Sequence, residues 1–376
     1  METNVPPARD KLLFTPGPLT TSLSVKQAML HDAGSWHADF NAIVRAIRER
    51  LLALAGVSQE AGYECVPMQG SGTFGVEAAL SAAVPRDGRL LVVANGAYGE
   101  RIVLITKTAG IETRVLRYAE DTSADADDVR RALAADPGIS AAVIVHCETT
   151  TGLLNPIEAA GAAVREQGRT YLVDAMSSFG AYPIDVAELG IDYLISSANK
   201  CLEGVPGFSF VIARRDALLA SAGNARSFSL DLLGQWRAFE QHGQFRFTPP
   251  THAVLAFAQA LDEHEQEGGV AGRGARYRAN HATLVEGMRA LGFRTYLAPE
   301  VQSYIITAFH DPEHPRFAFD EFYRRLSDRG MIIYPGKLTQ APTFRIGTIG
   351  RIFEADVRQL LAAVRDVMID MGCLDG

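Results

Sequence analysis

The chain has 376 residues, of which 47% are hydrophobic and 21% charged, and its formal net charge at pH 7 is -8. This balance is typical of a globular protein and excludes a disordered chain, which combines low hydrophobicity with high net charge. No apolar run approaches the roughly 20 residues of a transmembrane helix. No basic stripe of the kind that binds nucleic acid is visible in the sequence. The length predicts about two domains.

The cysteines and the N-terminus indicate the cellular compartment. Cys65, Cys147, Cys201 and Cys373 are widely spaced and form no CxxC pair, which favours reduced thiols over a disulfide framework or a zinc site. His310 and His314 lie four residues apart, but in a proline-containing segment that is incompatible with a metal-binding helix. The first ten residues lack the apolar core of a secretory signal. We therefore expect a cytoplasmic protein without a metal site.

The predicted elements alternate, in chain order, between short apolar strands and longer helical stretches. Runs rich in β-branched or aromatic residues predict strands at 90–94, 142–146, 171–173, 193–195 and 208–213. Helices are predicted at 75–84, 97–109 and 156–167. This alternation predicts an α/β fold with a mainly parallel central sheet and helices on both faces. Ligands of such sheets bind at the C-terminal ends of the strands.

The pattern changes after about residue 250. Helices are predicted at 251–266, about 270–290, 318–329 and 354–371, with strands at 303–309, 331–334 and 343–347. This pattern predicts a smaller C-terminal α+β domain. We place the large domain at residues 15–265 and the small domain at 266–376. Residues 1–14 are expected to pack against the small domain or a partner subunit.

A glycine-rich motif, Gly70-Ser71-Gly72-Thr73-Phe74-Gly75, follows a candidate strand and precedes a helix. It matches the G-x-G-x-x-G pattern of dinucleotide-binding proteins, but the next strand ends in Asn95-Gly96 instead of the acidic residue that holds a ribose. Small residues at a helix N-terminus present free N–H groups and the positive end of the helix dipole, which suit a phosphate. A tight turn without a ligand is the plainer alternative.

Asp174 and Lys200 each end a predicted strand, so both are expected at the same edge of the sheet. Small or neutral residues precede Lys200, and a poorly solvated lysine has a lowered pKa, which makes its amine a nucleophile towards a carbonyl. A carboxylate such as Asp174 can keep a heterocyclic nitrogen protonated. Together with the phosphate-binding motif they describe a site for pyridoxal 5′-phosphate. Taken singly, Asp174 could be a turn residue and Lys200 a solvated side chain.

Three further residues are candidates with plainer alternatives. Tyr98 follows another strand end and could stack on the cofactor ring or simply pack. Thr149 lies in the hydroxyl-rich segment 146–152 and could donate to the cofactor or belong to a polar turn. Arg345 lies inside the apolar run Phe344–Gly347, where a charge needs a partner, and it suits a carboxylate clamp or a structural ion pair.

The chain resembles the class V branch of the fold-type-I pyridoxal phosphate aminotransferases. The longest matching segments are SSANKCLEGVPGF and YPGKLTQ, whereas GSGT alone would not identify a family. The resemblance covers nearly the whole chain in order. Its segments are TPGPLTTS (15–22), MQGSGTFGVEAAL (68–80), ANGAYGER (94–101), HCETTTGLLNP (146–156), VDAMSSFGAYPID (173–185), ISSANKCLEGVPGFSFVIAR (195–214), SLDLLGQW (229–236), RFTPPTHAVLAFAQAL (246–261) and YPGKLTQAPTFRIGTIG (334–350).

This resemblance implies a role for each candidate. Lys200 would form the internal Schiff base with the cofactor and later carry a proton, while Asp174 would pair with the ring nitrogen. Tyr98 would stack on the ring. The remaining cofactor contacts would come from Ser71, Gly72, Thr73, Thr149 and Asn199, with Thr248 of the partner subunit reaching in across a homodimer interface.

The resemblance also implies a reaction, the transfer of the amino group of 2-aminoethylphosphonate to pyruvate, giving phosphonoacetaldehyde and L-alanine in phosphonate catabolism. Arg345 would hold the pyruvate carboxylate, and Thr20 and Ser22 are candidate contacts for the phosphonate because of their position in a matching segment. The alternatives are an alanine or serine aminotransferase acting with glyoxylate or pyruvate, and a non-catalytic binding protein that kept the fold. His37, Leu233 and Tyr304 depart from the family pattern and could shift donor preference.

Overall fold

The elements of the chain are those of a computed structural model that describes residues 10–336 and 341–375. Residues 337–340 of the YPGKLTQ segment lie outside the described residues. The helices are α1 Leu23–Ala28, α2 Ala38–Leu54, α3 Gly72–Ala83, α4 Ala97–Thr108, α5 Ala126–Ala135, α6 Ile157–Glu166, α7 Arg215–Ala220, α8 Leu232–His242, α9 Thr251–Gln266, α10 Gly269–Ala290, α11 Phe319–Asp328 and α12 Glu354–Asp370. The strands are β1 Leu12–Leu13, β2 Tyr63–Gln69, β3 Arg89–Ala94, β4 Glu112–Arg117, β5 Ile139–Val145, β6 Cys147–Glu148, β7 Leu153–Leu154, β8 Thr170–Asp174, β9 Tyr193–Ser197, β10 Phe208–Arg214, β11 Ile306–His310, β12 Met331–Ile332, β13 Tyr334–Pro335 and β14 Thr343–Gly347.

A seven-stranded sheet lies at the centre of the larger part of the molecule, in the order β2-β10-β9-β8-β5-β3-β4. Neighbouring strands from β9 to β4 run parallel. β10 runs antiparallel to both β2 and β9. The predicted mainly parallel α/β sheet is therefore confirmed, with one antiparallel strand added. Residues 198–207, which join β9 to β10, contain no helix that could return the chain for a parallel pairing.

Helices cover this sheet and bury its strands. Strands β5, β8 and β9 are buried along nearly their whole length, as expected where both faces are covered. Helix α3 packs on β9 and β10, α4 on β3, and α6 on β8. The resulting core contains side chains between Phe40 and Leu261. Every strand predicted for this part is found within three residues of its predicted ends.

A second core forms from the C-terminal part together with the N-terminal segment. The three-stranded sheet β11-β14-β13 packs with α10, α11 and α12. Its core joins Phe14 to side chains between Leu284 and Met371. Strand β1 pairs in parallel with β12, so residues Leu12–Leu13 belong to this part of the molecule. The exact domain limits at residues 265 and 266 stay a prediction.

No helix in the part of the chain that the structure describes is long and apolar enough to span a membrane.

Candidate active site

A cavity of about 200 Å³ opens at the C-terminal ends of the central strands. Seven of the residues that the sequence singles out line it, namely Ser71, Gly72, Thr73, Tyr98, Asp174, Asn199 and Lys200. They come from the start of α3, the start of α4, the end of β8 and the loop after β9. The parallel strands bring these distant segments together, because their C-terminal ends meet at one edge of the sheet.

Lys200 lies in the loop after β9, with its amine inside the cavity. Nζ donates a 2.7 Å hydrogen bond to the carbonyl of Pro16. Gly17 lies against it, since a Cβ there would approach Nζ to 2.8 Å. Burial, partly offset by nearby groups such as Asp174, lowers the pKa of Lys200 from 10.5 to about 8. The amine is therefore partly neutral near physiological pH and can attack a carbonyl carbon.

Asp174 ends β8 with its side chain only 4% exposed. Oδ1 accepts a 3.0 Å hydrogen bond from the N–H of Met176. Burial raises the pKa of Asp174 from 3.8 to about 6. A carboxylate under this desolvation penalty gains from a cationic partner in the cavity, such as a protonated ring nitrogen.

Helix α3 begins at the cavity wall with Gly72, and no described side chain caps it. Gly70 adopts a left-handed conformation, with φ of +105°, which turns the chain from β2 into the helix. A Cβ at Gly72 would lie 2.5 Å from the sulfur of Met176, so the absence of a side chain keeps the helix start close to the cavity. The helix N-terminus and the hydroxyl groups of Ser71 and Thr73 thus form a cradle that suits a phosphate.

Glu148 is a buried residue that the sequence analysis missed, and it holds Tyr98 in place. Its carboxylate accepts hydrogen bonds from the N–H of Tyr98 (3.3 Å) and of Gly99 (3.2 Å). An acid at the first turn of a helix also complements the helix dipole. A Cβ at Gly96 would lie 2.5 Å from the Glu148 side chain, so Gly96 leaves room for this contact. The position of Glu148 in the HCETTTG segment, at the end of a strand, is the sequence signal that could have identified this residue.

Arg101 is a second residue that the sequence analysis did not single out. It follows Tyr98 by one helical turn on α4 and lines the cavity. Its guanidinium carbon lies 4.6 Å from the centroid of the Tyr98 ring. Among the described residues it has no ion-pair partner, so its charge faces the cavity without a fixed counter-ion.

Arg345 and Thr149 lie close together, although neither lines the cavity itself. Arg345 is 2% exposed, and its Nη1 donates a 2.9 Å hydrogen bond to the carbonyl of Thr149. Its Nη2 and Nε donate to the carbonyl of Pro335, at 2.8 and 3.2 Å. The Thr149 hydroxyl shares a 2.8 Å hydrogen bond with Ser177.

These contacts leave Arg345 capacity for a ligand. Two of its five N–H groups are not used by these hydrogen bonds, and no described carboxylate forms an ion pair with it. Burial lowers the pKa of Arg345, and no described acid offsets this cost, so an anionic ligand would stabilise the charged guanidinium. The structural ion pair considered as an alternative is not found among the described residues.

The other candidates lie outside the cavity. Thr248 is exposed, and its carbonyl accepts a 3.4 Å hydrogen bond from Gln69. The Thr20 hydroxyl accepts a 2.8 Å hydrogen bond from the N–H of Leu13. Ser22 caps α1 and donates a 2.7 Å hydrogen bond to Glu263. The hydroxyls of Thr20 and Ser22 are thus engaged within the chain, and their contact with a substrate stays a prediction.

The three departures from the family pattern do not line the cavity either. His37 caps helix α2 with a side chain that is 68% exposed. Leu233 is 4% exposed and belongs to the main core. Tyr304 stacks on Tyr182 with ring centroids 4.0 Å apart, and its hydroxyl donates to the carbonyl of Ala181 at 2.7 Å. Each of the three side chains has a structural role away from the cavity.

Comparison with known proteins gives one consistent result. The family model described as "Aminotransferase class-V" matches residues 23–349. A "2-aminoethylphosphonate--pyruvate transaminase" of Syntrophobacter fumaroxidans is 54% identical over 97% of this chain and 98% of its own length. A protein of the same name from Salmonella schwarzengrund is 54% identical over 96% of this chain and 98% of its own.

Solved structures share the fold at lower identity. An alanine–glyoxylate aminotransferase from Nostoc has a TM-score of 0.88 with 25% identity, covering 96% of each chain. A pyridoxamine-pyruvate aminotransferase from Mesorhizobium loti has a TM-score of 0.88 with 22% identity, covering 98% of this chain and 94% of that one.

The cofactor of this family, pyridoxal 5′-phosphate, fits the residues of the cavity. Lys200 supplies an amine of lowered pKa, and Asp174 supplies a buried acid that needs a cationic partner. The glycine-lined start of α3 supplies the phosphate cradle. The sequence match over most of the chain and this donor set agree, and the chain belongs to the class V aminotransferases, an enzyme family that depends on pyridoxal phosphate.

Proposed function

We propose that this enzyme transfers the amino group of 2-aminoethylphosphonate to pyruvate, giving phosphonoacetaldehyde and L-alanine. The observation that carries the proposal is the 54% identity to relatives of that name over 97% of this chain. An arginine without a carboxylate partner also lies beside the proposed cofactor residues, as anionic substrates require.

The cofactor, when bound, supplies a protonated ring that withdraws electrons from the carbon next to the amino nitrogen. The residues of the chain hold and orient it. Asp174 holds the positive charge at the ring nitrogen, and Tyr98 packs on the ring face. Ser71, Gly72 and Thr73 bind the phosphate, while Asn199 and Thr149 support the ring and its oxygen.

Lys200 has two proposed tasks. Its amine holds the cofactor covalently between turnovers, and when free it moves a proton at Nζ. A pKa of about 8 suits both tasks, because a base works best when its pKa is near the working pH. The hydrogen bond that Nζ donates to the carbonyl of Pro16 orients the free amine in the cavity.

Substrate recognition requires placed cations, because the chain as a whole carries a net charge of -8. The donor ends in a phosphonate and the acceptor in a carboxylate. Donor and acceptor would use the same site in turn, because a transamination proceeds in two half-reactions. We assign Arg345 to the acceptor carboxylate and to the donor phosphonate in turn, through the two N–H groups that bind no main-chain carbonyl among the described residues. Arg101 adds a second cation at the cavity wall, also without an ion-pair partner in the part of the chain that the structure describes. Thr20 and Ser22 remain candidates for the phosphonate.

We propose a homodimer with sites at the subunit interface. Large apolar side chains are exposed near Thr248, including Phe228 at 77% and Phe247 at 41%. Phe74, within the glycine-rich motif, is 49% exposed. A second copy of the chain covering these side chains would bring Thr248 of the partner subunit to the cofactor phosphate.

We propose that the enzyme works in the cytoplasm. Its four cysteines are free thiols, and three of them, Cys65, Cys147 and Cys201, are buried. Such cysteine use favours a reducing compartment.

The test is a product assay with the purified protein, pyridoxal phosphate, 2-aminoethylphosphonate and pyruvate. We expect equal amounts of alanine and phosphonoacetaldehyde. Alanine and serine with glyoxylate serve as rival substrate pairs, because the Nostoc neighbour has an alanine–glyoxylate name. Faster turnover of a rival pair would contradict the proposed donor, while Lys200→Ala should abolish turnover of every pair.

A further inference from the structure

Glu203 ends the turn that carries Lys200 and has an unusual backbone conformation. Its φ is +59°, and it is the single non-glycine residue with positive φ among the described residues. Its N–H donates a 2.8 Å hydrogen bond to the carbonyl of Lys200. A side chain with a Cβ is disfavoured in this left-handed region, where glycine is the usual residue. A glutamate here suggests that its carboxylate has a use.

The Glu203 carboxylate is 3% exposed and lies in a buried cluster of charges. Oε1 accepts hydrogen bonds from the hydroxyl of Tyr277 (2.6 Å) and from Nη2 of Arg276 (2.7 Å), and lies 3.5 Å from Nη1 of Arg273. Both arginines also pair with Glu267, at 2.6 and 2.8 Å. Two acids and two arginines balance, so the cluster stays charged although buried.

This cluster also ties the Lys200 turn to the rest of the site. Arg273 Nη1 donates to the carbonyl of Cys201, the residue after Lys200. The Tyr277 hydroxyl accepts a 3.1 Å hydrogen bond from the N–H of Gly350, and Arg276 donates to the carbonyl of Ile352 at 3.0 Å. Gly350 and Ile352 lie just beyond β14, the strand that holds Arg345. The cluster therefore connects the turn that carries Lys200 with the segment that follows Arg345.

We infer that Glu203 is a positioning residue. Its buried carboxylate holds the turn that carries Lys200, and so keeps the Lys200 amine at the cavity and fixes its position relative to the segment that follows Arg345. The inference rests on the proposed role of Lys200 as the residue that holds the cofactor. Small displacements of a reacting group slow a reaction strongly. Loss of the Glu203 carboxylate should therefore slow the reaction of Lys200 with the cofactor in a chain that still folds.

The experiment measures the covalent capture of pyridoxal phosphate by the cofactor-free full chain. Captured cofactor is reduced with borohydride at set times, and its attachment to Lys200 is quantified by mass spectrometry. The variants are Glu203→Gln, Glu203→Gly and Tyr277→Phe. The matched control is Glu64→Gln, because Glu64 is 1% exposed and pairs with Arg48 and Arg215, and no hydrogen bond or ion pair joins it to the Lys200 turn among the described residues.

We expect both Glu203 variants to capture the cofactor about tenfold more slowly or worse, although glycine relieves the left-handed backbone. Tyr277→Phe removes the hydrogen bonds of the hydroxyl to Glu203 and to Gly350 but no charge, and it should slow capture by about threefold. Glu64→Gln should lose thermal stability but capture at the wild-type rate. Wild-type capture speed in Glu203→Gly, or equal slowing in Glu64→Gln, would overturn the inference. A wild-type chain that attached no cofactor at Lys200 would instead refute the proposed function.

Discussion

At the residue scale, the site depends on how burial shifts the pKa values of Lys200 and Asp174. Because the pKa of Lys200 is lowered from 10.5 to about 8, roughly 300-fold more of its amine is neutral at pH 7 than for an ordinary lysine. We predict that the rate at which the cofactor-free protein captures pyridoxal phosphate rises about tenfold per pH unit up to about pH 8 and then levels off. Stopped-flow absorbance measures this rate, with Lys200→Ala as the control. A rise that continues to pH 10 would show an ordinary, solvated lysine.

Burial of Asp174 lowers the stability of the cofactor-free protein at neutral pH. Its pKa is raised from 3.8 to about 6, so the folded chain keeps a proton that the unfolded chain releases. The free energy of unfolding should therefore fall as the pH rises from about 4 to about 6, and the loss should persist above it. We predict that Asp174→Asn stabilises the cofactor-free protein at pH 7 by about 1 to 3 kcal/mol. It should also lower turnover at least about 100-fold.

Denaturant unfolding at several pH values and a product assay measure both effects. An Asn variant that is less stable than the wild type at pH 7 would show that the Asp174 carboxylate already has a compensating partner in the empty cavity.

The sequence predicted Asp174 and Lys200 because Asp174 ends a recognisable apolar strand and Lys200 follows three residues after the end of another. It did not predict Glu148 or Arg101, since their roles depend on which helix start and which ring they meet in space. The hydrogen bonds of Arg345 to the carbonyls of Thr149 and Pro335 also arise from tertiary packing, which no local pattern encodes.

At the element scale, the start of α3 works as a phosphate cradle only while residue 72 lacks a side chain. We predict that Gly72→Ala folds but pushes the flexible Met176 side chain into the cavity, because the new Cβ would lie 2.5 Å from its sulfur. The dissociation constant for pyridoxal phosphate should rise about tenfold, which equals about 1.4 kcal/mol. Equilibrium dialysis measures it.

The double variant Gly72→Ala/Met176→Ala should recover most of the lost cofactor affinity. If the double variant recovers no affinity, the added methyl group blocks the phosphate directly and does not act by displacing the Met176 side chain.

The buried strands of the central sheet were predictable at this scale, and its half-exposed edge strand was not. Strands β3, β5, β8, β9 and β10 have recognisable apolar sequences because both faces of the sheet are covered there. Strand β4 is an edge strand with exposed positions and a polar sequence, so it lacked that signal. The antiparallel direction of β10 follows from the short helix-free loop at Lys200. The length of this loop in the sequence could have predicted that direction.

At the scale of the whole molecule, the proposed dimer makes Thr248 part of the other subunit's site. We predict that Lys200→Ala chains, which are inactive alone, and Thr248→Ala chains, which are weak alone, gain activity when mixed under conditions that exchange subunits. Random pairing gives one intact site in half of the dimers, so about a quarter of wild-type activity should return. The control is mixing without exchange. No gain after proven exchange would show that Thr248 acts within its own chain.

The central claim is that this cavity accepts the amino group of 2-aminoethylphosphonate. The most direct measurement is the half-reaction without pyruvate, following the absorption spectrum of the cofactor-loaded enzyme and the aldehyde released. We predict one equivalent of phosphonoacetaldehyde per active site with this donor, and no release from Lys200→Ala. A full spectral change with alanine or serine but none with 2-aminoethylphosphonate would contradict it.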